Sequence, residues 1–203
     1  MAGSRSTSGR PITGEPSLPE PSLPEKVVAI DKALARAKVA HAFGGALALA
    51  YYAEPRSTVD VDVNVFVTTD LAPRVSRALE KLGVDTSRLE RPATERDGQV
   101  RCRWGRTPID VFFSYDSMHD AMRDAVARVP FGPDRIPILA PEHLVVCKAV
   151  FDRPKDWLDI QQVLVTVTAF DADEARRWLE HLVGSKDARY RKLERQMSAL
   201  LTP

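Results

Sequence analysis

FGGALALAYYAEPRSTVDVDVNVFV, residues 43 to 67, joins a Gly-Gly pair to a short helix-like run and then to two aspartates alternating with valines. Strands project successive side chains to opposite faces, so Asp60 and Asp62 share one face while Val59, Val61 and Val63 share the other. Neighbouring carboxylates repel each other, and a protein tolerates them most readily with a cation between them. Gly44 and Gly45 let the backbone approach an anion without a Cβ in the way. The helix expected over residues 46 to 52 offers its free N–H groups to that anion, with a macrodipole attraction of about 1 kcal/mol. Ser57 and Thr58 stand just ahead of the carboxylates, where their hydroxyls would bond phosphate oxygens or finish the turn with Arg56. Together these features describe a place for a metal-bound triphosphate.

The rest of the composition narrows the class. A chain of 203 residues, 44% hydrophobic and 28% charged, is one average globular domain, or one with a helical extension. A net charge of +1 excludes a globally basic nucleic-acid binder but leaves local patches open. Cys102 and Cys147 stand outside any C-x-x-C pattern, and the four histidines show no metal-ligand spacing. Reduced thiols in a cytoplasmic protein follow. No apolar run approaches the roughly 20 residues that span a bilayer, and no signal-peptide core opens the chain, so no membrane partner is expected.

Three regions follow from pattern changes. Residues 1–24 are rich in Pro and Ser, include the tandem EPSLPEPSLPE, and read as a disordered tail. Residues 25–140 read as an α/β core. A helix carries Val27, Ile30, Leu34 and Ala37 on one face, and short strands are expected over 39–43 and 59–67. Asp70 is expected to cap a helix ended by Gly83. Strands over 100–104 and 109–113 flank a hairpin turn, a helix covers 117–126, and a last strand spans 135–139. Residues 141–203 read as helices only: 142–151, 155–167, one capped by Asp171 and ended by Gly184, and one from Ser185. The fold class is α+β, a small mixed sheet followed by a helical C-terminal half-domain.

Gly-Gly, a gap, then Thr-Val-Asp-Val-Asp in a hydrophobic strand resembles the first motif of the nucleotidyltransferase superfamily that shares its fold with DNA polymerase β. The resemblance implies transfer of a nucleotide from an NTP to a hydroxyl with release of pyrophosphate, mainly by positioning and by divalent ions held on carboxylates. Asp60 and Asp62 then become ligands of Mg2+ or Mn2+. A third acid is expected on a neighbouring strand, and Asp110 in Pro-Ile-Asp-Val-Phe-Phe is the candidate. Family analogy makes it share a metal and help deprotonate the attacking hydroxyl.

A second stretch, from Lys148 through Phe-Asp-Arg-Pro-Lys-Asp-Trp-Leu-Asp, resembles the K…R-x-x-D-x-x-D motif of the AbiEii group, which includes the MenT toxins. Lys148 interrupts an apolar helix face, so its ammonium needs an anionic partner: the triphosphate, Asp156 or Asp159. Arg153 and Lys155 would add phosphate contacts. Many members of the group carry Gly-Ser where this chain has Gly44-Gly45. Within this group the implied activity is addition of nucleotides, CTP or UTP favoured, to the 3′ end of tRNA, which blocks aminoacylation. The implied partners are tRNA and a neutralising antitoxin, and phosphorylation of Thr58 or Ser57 would act as an off-switch. Between Arg176 and Arg195 seven Lys or Arg face three acids, and Arg101, Arg103 and Arg106 add charge near the hairpin, a surface suited to a phosphate-rich acceptor. The alternatives are a small-molecule antibiotic nucleotidyltransferase and a non-catalytic binding protein on the same scaffold.

Overall fold

The computed structural model describes residues 20–89 and 98–201. The expected tail over 1–24 therefore lies, up to residue 19, outside the described residues. The described elements are α1 (Leu23–Arg36), β1 (His41–Phe43), α2 (Gly45–Leu49), β2 (Val61–Val65), α3 (Ala72–Glu80), β3 (Gln99–Trp104), β4 (Thr107–Phe113), α4 (Met118–Asp124), β5 (Ala127–Phe131), β6 (Asp134–Ile138), α5 (Pro141–Phe151), α6 (Pro154–Thr166), α7 (Ala172–Val183) and α8 (Ala188–Leu200). The strands form one mixed six-stranded sheet in the order β3-β4-β2-β1-β6-β5.

Alternation in β2 and β4 organises the core. Val61, Val63 and Val65 are buried with Ile109, Val111 and Phe113, and they join Val27, Ile30 and Leu34 of α1 and Val75 and Leu79 of α3 in one apolar cluster. Each fully buried side chain of this kind contributes roughly 1.5–3 kcal/mol. Ser22 and Glu25 form a capping box at the start of α1, two residues earlier than the pattern suggested. The buried Lys26 then ties this helix to the β3–β4 hairpin. Its Nζ donates to the Trp104 carbonyl and Thr107 Oγ1, each at 2.9 Å, and pairs with Glu20.

Several local expectations need correction. The carboxylate strand starts at Val61, so Thr58 and Asp60 lie in the approach to it, and Val59 is 75% exposed. The helix after Gly44 has only five residues, too short for a sizeable macrodipole. Asp70 sits in a 3-10 turn spanning Thr69–Leu71, and α3 starts after it at Ala72. The hairpin turn is two residues, with Gly105 at φ +57, rather than four. β5 went unread because Pro130 interrupts its pattern and its side chains alternate between exposed and half-buried; as an edge strand it tolerates that proline. At the C-terminal end Asp171 caps α7 as expected, accepting from the amides of Asp173 and Glu174. α8 begins at Ala188, behind Asp187, whose side chain accepts from the Arg189 amide.

No helix among the described residues is long and apolar enough to cross a membrane. Both cysteines are free, and burial pushes each thiol up to about 12, so neither is a nucleophile at neutral pH.

Candidate active site

The parallel pairing of β2 with β4 places Asp62 directly beside Asp110, and Asn64 beside Phe112. Paired residues on neighbouring strands point to one face, so the two acids converge by register alone. Asp60 stands one step earlier on the same side. The Asp62 carboxylate makes no hydrogen bond or ion pair among the described residues. Burial, then the negative charges of Asp60 and Asp110, push it up to about 6, against the opposing pull of Lys148 and Arg153. Asp60 moves the other way. Burial would raise it, but the Thr58 hydroxyl, a backbone amide, Lys155 and Arg101 together hold it below the usual range.

Gly45 explains itself here. Its φ is +53, and a Cβ on it would fall 1.7 Å from Asp62 Oδ2. The glycine is required both by conformation and by the carboxylate seated against it. The Gly44 amide meanwhile donates to the Asp62 carbonyl at 3.0 Å, fastening the turn to β2.

The second motif closes the site from above. α5 packs on α2, and α6 packs on α5. Lys148 Nζ donates to Asp159 Oδ2 at 2.6 Å and lies 3.9 Å from Asp156 Oδ1; all three residues are buried. Arg56 reaches Asp159 at 3.1 and 3.3 Å, and Arg153 binds Asp156 at 2.5 and 3.1 Å while stacking on Phe151. Gly44, Gly45, Asp62, Lys148 and Arg153 together line one cavity of about 70 Å³. A water occupies about 30 Å³ of liquid, so this cavity admits a phosphoryl-sized group, not a whole nucleotide. Larger clefts exist, such as one of about 520 Å³ between α1 and α3, but no such set of acids and cations converges there.

Other residues singled out in the sequence sit differently from expectation. Arg56 is engaged with Asp159. Thr58 donates its hydroxyl to the Asp60 carboxylate, and Ser57 is exposed. Asp110 is not a free third carboxylate, because Arg101, opposite it on β3, grips both its oxygens at 2.8 and 2.5 Å. As they stand, no three His, Cys, Asp or Glu side chains among the described residues are grouped to hold a metal ion. The donor chemistry nevertheless fits a hard divalent cation. Asp62 offers unshared carboxylate oxygens, raised in pKa first by burial and then by the charges of Asp60 and Asp110, and a cation would offset both. Asp60 and Asp110 would complete such a set, Asp110 by exchanging Arg101 for the ion.

The basic C-terminal surface is partly self-neutralised. Arg176 binds Glu194 and Asp173, Arg177 binds Glu174, Arg189 binds Asp187, and Lys192 lies over the Trp157 ring. Asn64, Phe112 and Phe151 also border the site and were not read from the sequence. For Asn64 the signal was present, since it is the next same-face position after Asp60 and Asp62.

No protein-family profile matches the chain, and no curated protein sequence matches it. Its structure is similar to the solution structure of the antibiotic-resistance factor ANT(2'')-Ia, at 13% identity over 85% of this chain and 95% of that one, with a TM-score of 0.54. The chain has the nucleotidyltransferase fold. Weaker likenesses include the lincomycin-bound lincosamide antibiotic adenylyltransferase LnuA (12% identity, 68% and 94% of the two chains, TM-score 0.48). Another is an antigenic nucleotidyltransferase-like protein from Paracoccidioides brasiliensis (14% identity, 88% and 95%, TM-score 0.47). The nucleotidyltransferase fold accounts for the parallel β2–β4 pair at the centre of the sheet, the element on which the acids meet.

Proposed function

We propose that this protein is a metal-dependent nucleotidyltransferase that moves a nucleotide from an NTP to an acceptor hydroxyl and releases pyrophosphate. One observation carries the proposal: a single cavity collects Gly44, Gly45 and Asp62 from the first motif with Lys148 and Arg153 from the second. Asp60, Asp62 and Asp110 would hold Mg2+ or Mn2+, which when bound neutralises phosphate charge and polarises the α-phosphorus. Lys148 and Arg153 would face the polyphosphate, and the Gly44–Gly45 backbone would leave room for it. Asp156 and Asp159 hold those two cations in place; Asp159 also anchors Arg56, which ties the loop before Thr58 to α6.

The motif resemblance directs the acceptor reading to the 3′ end of tRNA, with CTP or UTP as donor and an antitoxin as partner. Phosphorylation of Thr58 would remove the hydroxyl that holds Asp60 and add negative charge beside the acids. A small hydroxyl-bearing acceptor is the second reading. The self-paired arginines of α7 and α8 favour it, as does the structural likeness to an antibiotic-resistance factor.

Incubation with each α-labelled NTP, Mg2+ or Mn2+, and either total tRNA or a panel of antibiotics separates these. Lengthened, labelled tRNA supports the first reading, and labelled antibiotic with unchanged tRNA supports the second. Label transfer that survives Asp62→Ala would remove the proposed chemistry altogether.

A further inference from the structure

Beside the phosphoryl-sized cavity lies a second one of about 200 Å³, and Asn64, Phe112, Cys147 and Phe151 line both. The two adjoin at Asn64 of β2 and Phe112 of β4. The first sits on the side of Gly44 and Gly45, after β1, with Lys148 and Arg153 over it. The second extends across β4 to Gln99 of β3 and is closed by Tyr115, by Met118, His119 and Met122 of α4, and by Leu182 of α7. Asn64 and Phe112, the next same-face pair after Asp62 and Asp110, therefore stand between an anion-suited pocket and another of different chemistry.

No acid, lysine or arginine lines the second cavity. His119 adds no charge at neutral pH, since burial lowers its pKa. Its Nδ1 faces the Asp116 carbonyl at 3.1 Å and so carries the ring hydrogen, which leaves Nε2 as an acceptor. Tyr115, 71% exposed, lays its ring on His119 with centroids 4.7 Å apart, and Phe112 meets Phe151 edge-on at 6.0 Å. The polar centre is Asn64. It is 6% exposed, and its carboxamide has no hydrogen-bond partner among the described residues. Unclaimed by the fold and facing the cavity, this donor–acceptor pair is free to bind a complementary edge that replaces water.

Resting on the nucleotidyl transfer proposed above, we propose that this second cavity is the acceptor pocket, and that it takes one uncharged ring group carrying or adjoining the attacking hydroxyl, read by Asn64. A polycationic acceptor finds no counter-charge in this lining. The volume also falls below the roughly 300–1,000 Å³ of pockets that enclose drug-sized molecules, so a single ring enters and the remainder of the acceptor stays outside. Two sources supply such a ring: the terminal nucleoside of an RNA, or a free hydroxylated small molecule.

Steady-state kinetics of the full chain with Mg2+ and NTP test this with four probes: a CCA-ended oligoribonucleotide, free adenosine, an uncharged aryl glycoside and a polyamino sugar antibiotic. The oligoribonucleotide or one of the uncharged small molecules is used and the polycation is not; which of the uncharged probes reacts identifies the source. Asn64→Leu raises the acceptor KM about tenfold, the loss of one hydrogen bond, and raises it by more than it raises the NTP KM. Tyr115→Ala, at an exposed position that folding tolerates, raises the acceptor KM several-fold in the same pattern. Transfer to the polycation at equal efficiency, or variants that move the NTP KM instead of the acceptor KM, overturns the pocket assignment while leaving nucleotidyl transfer standing. Absence of transfer from any NTP to any probe overturns both.

Discussion

The two charged clusters around the phosphoryl-sized cavity are built from similar residues and end in opposite electrostatic states. On the sheet, Asp62 is raised to about 6 by burial and by Asp60 and Asp110, and its own oxygens go unshared. On the helices, Asp156 and Asp159 are at least as buried yet fully engaged, by Arg153, Arg56 and Lys148. A folded chain leaves like charges uncompensated only at a cost, so the sheet cluster is the part of the site suited to a cation, whereas the helix cluster is already self-paired. Asp110 lies between the two states, since Arg101 holds it from an edge-strand position that is half in solvent.

The largest effect expected from this contrast is on the self-paired side. Lys148→Ala strips the cation from two buried carboxylates and should destabilise the chain by about 3 kcal/mol, read from urea unfolding, because breaking a buried pair leaves an uncompensated charge. The same experiment on the sheet side should give the opposite sign. Asp62 is easier to protonate folded than unfolded, so its stabilising contribution is complete below about pH 4 and is lost as pH rises through about 6. In metal-free buffer Asp62→Asn should therefore stabilise the protein by about 3 kcal/mol at pH 8 and by almost nothing at pH 4, measured by thermal melts. Equal melting temperatures at pH 8 would erase the distinction between the clusters.

Saturating Mg2+ or Mn2+ should raise the melting temperature of the natural chain at pH 8, by up to about 2.7 kcal/mol of stability at a hundredfold excess over Kd, and leave Asp62→Asn unmoved. Gly45→Ala should cost at least about 1 kcal/mol and abolish metal binding, because the new Cβ enters the space of the Asp62 carboxylate at a positive φ. The smallest change is expected from Arg101→Gln. Arg101 is half in solvent but Asp110 beneath it is buried, so its loss should cost about 1 kcal/mol, less than breaking the fully buried Lys148 pair. Removing the competing cation from Asp110 should nonetheless lower the Mg2+ concentration needed for half-maximal transfer.

Much of this arrangement was legible before any coordinates. The alternation Val-Asp-Val-Asp-Val placed Asp62 on a polar face and Val61 and Val63 in the core, and Lys148 interrupting an apolar helix announced a buried cation in need of partners. What misled was local as well: Val59 continues the alternation in sequence but precedes the strand, and Pro130 hid an edge strand. Thr58 and Arg56, read from sequence as phosphate contacts or as parts of the turn, bond Asp60 and Asp159 in the fold.

By itself the sequence determined periodicities, caps and which residues share a face, because those follow from backbone geometry over a few residues. Only the tertiary structure decided that β4 runs parallel beside β2 in the register that sets Asp110 against Asp62, that Arg101 faces Asp110 across a hairpin, and that Asn64 opens between two cavities. Strand register and helix docking join positions tens of residues apart, and the packing of the whole core selects them over alternatives that local propensity does not distinguish.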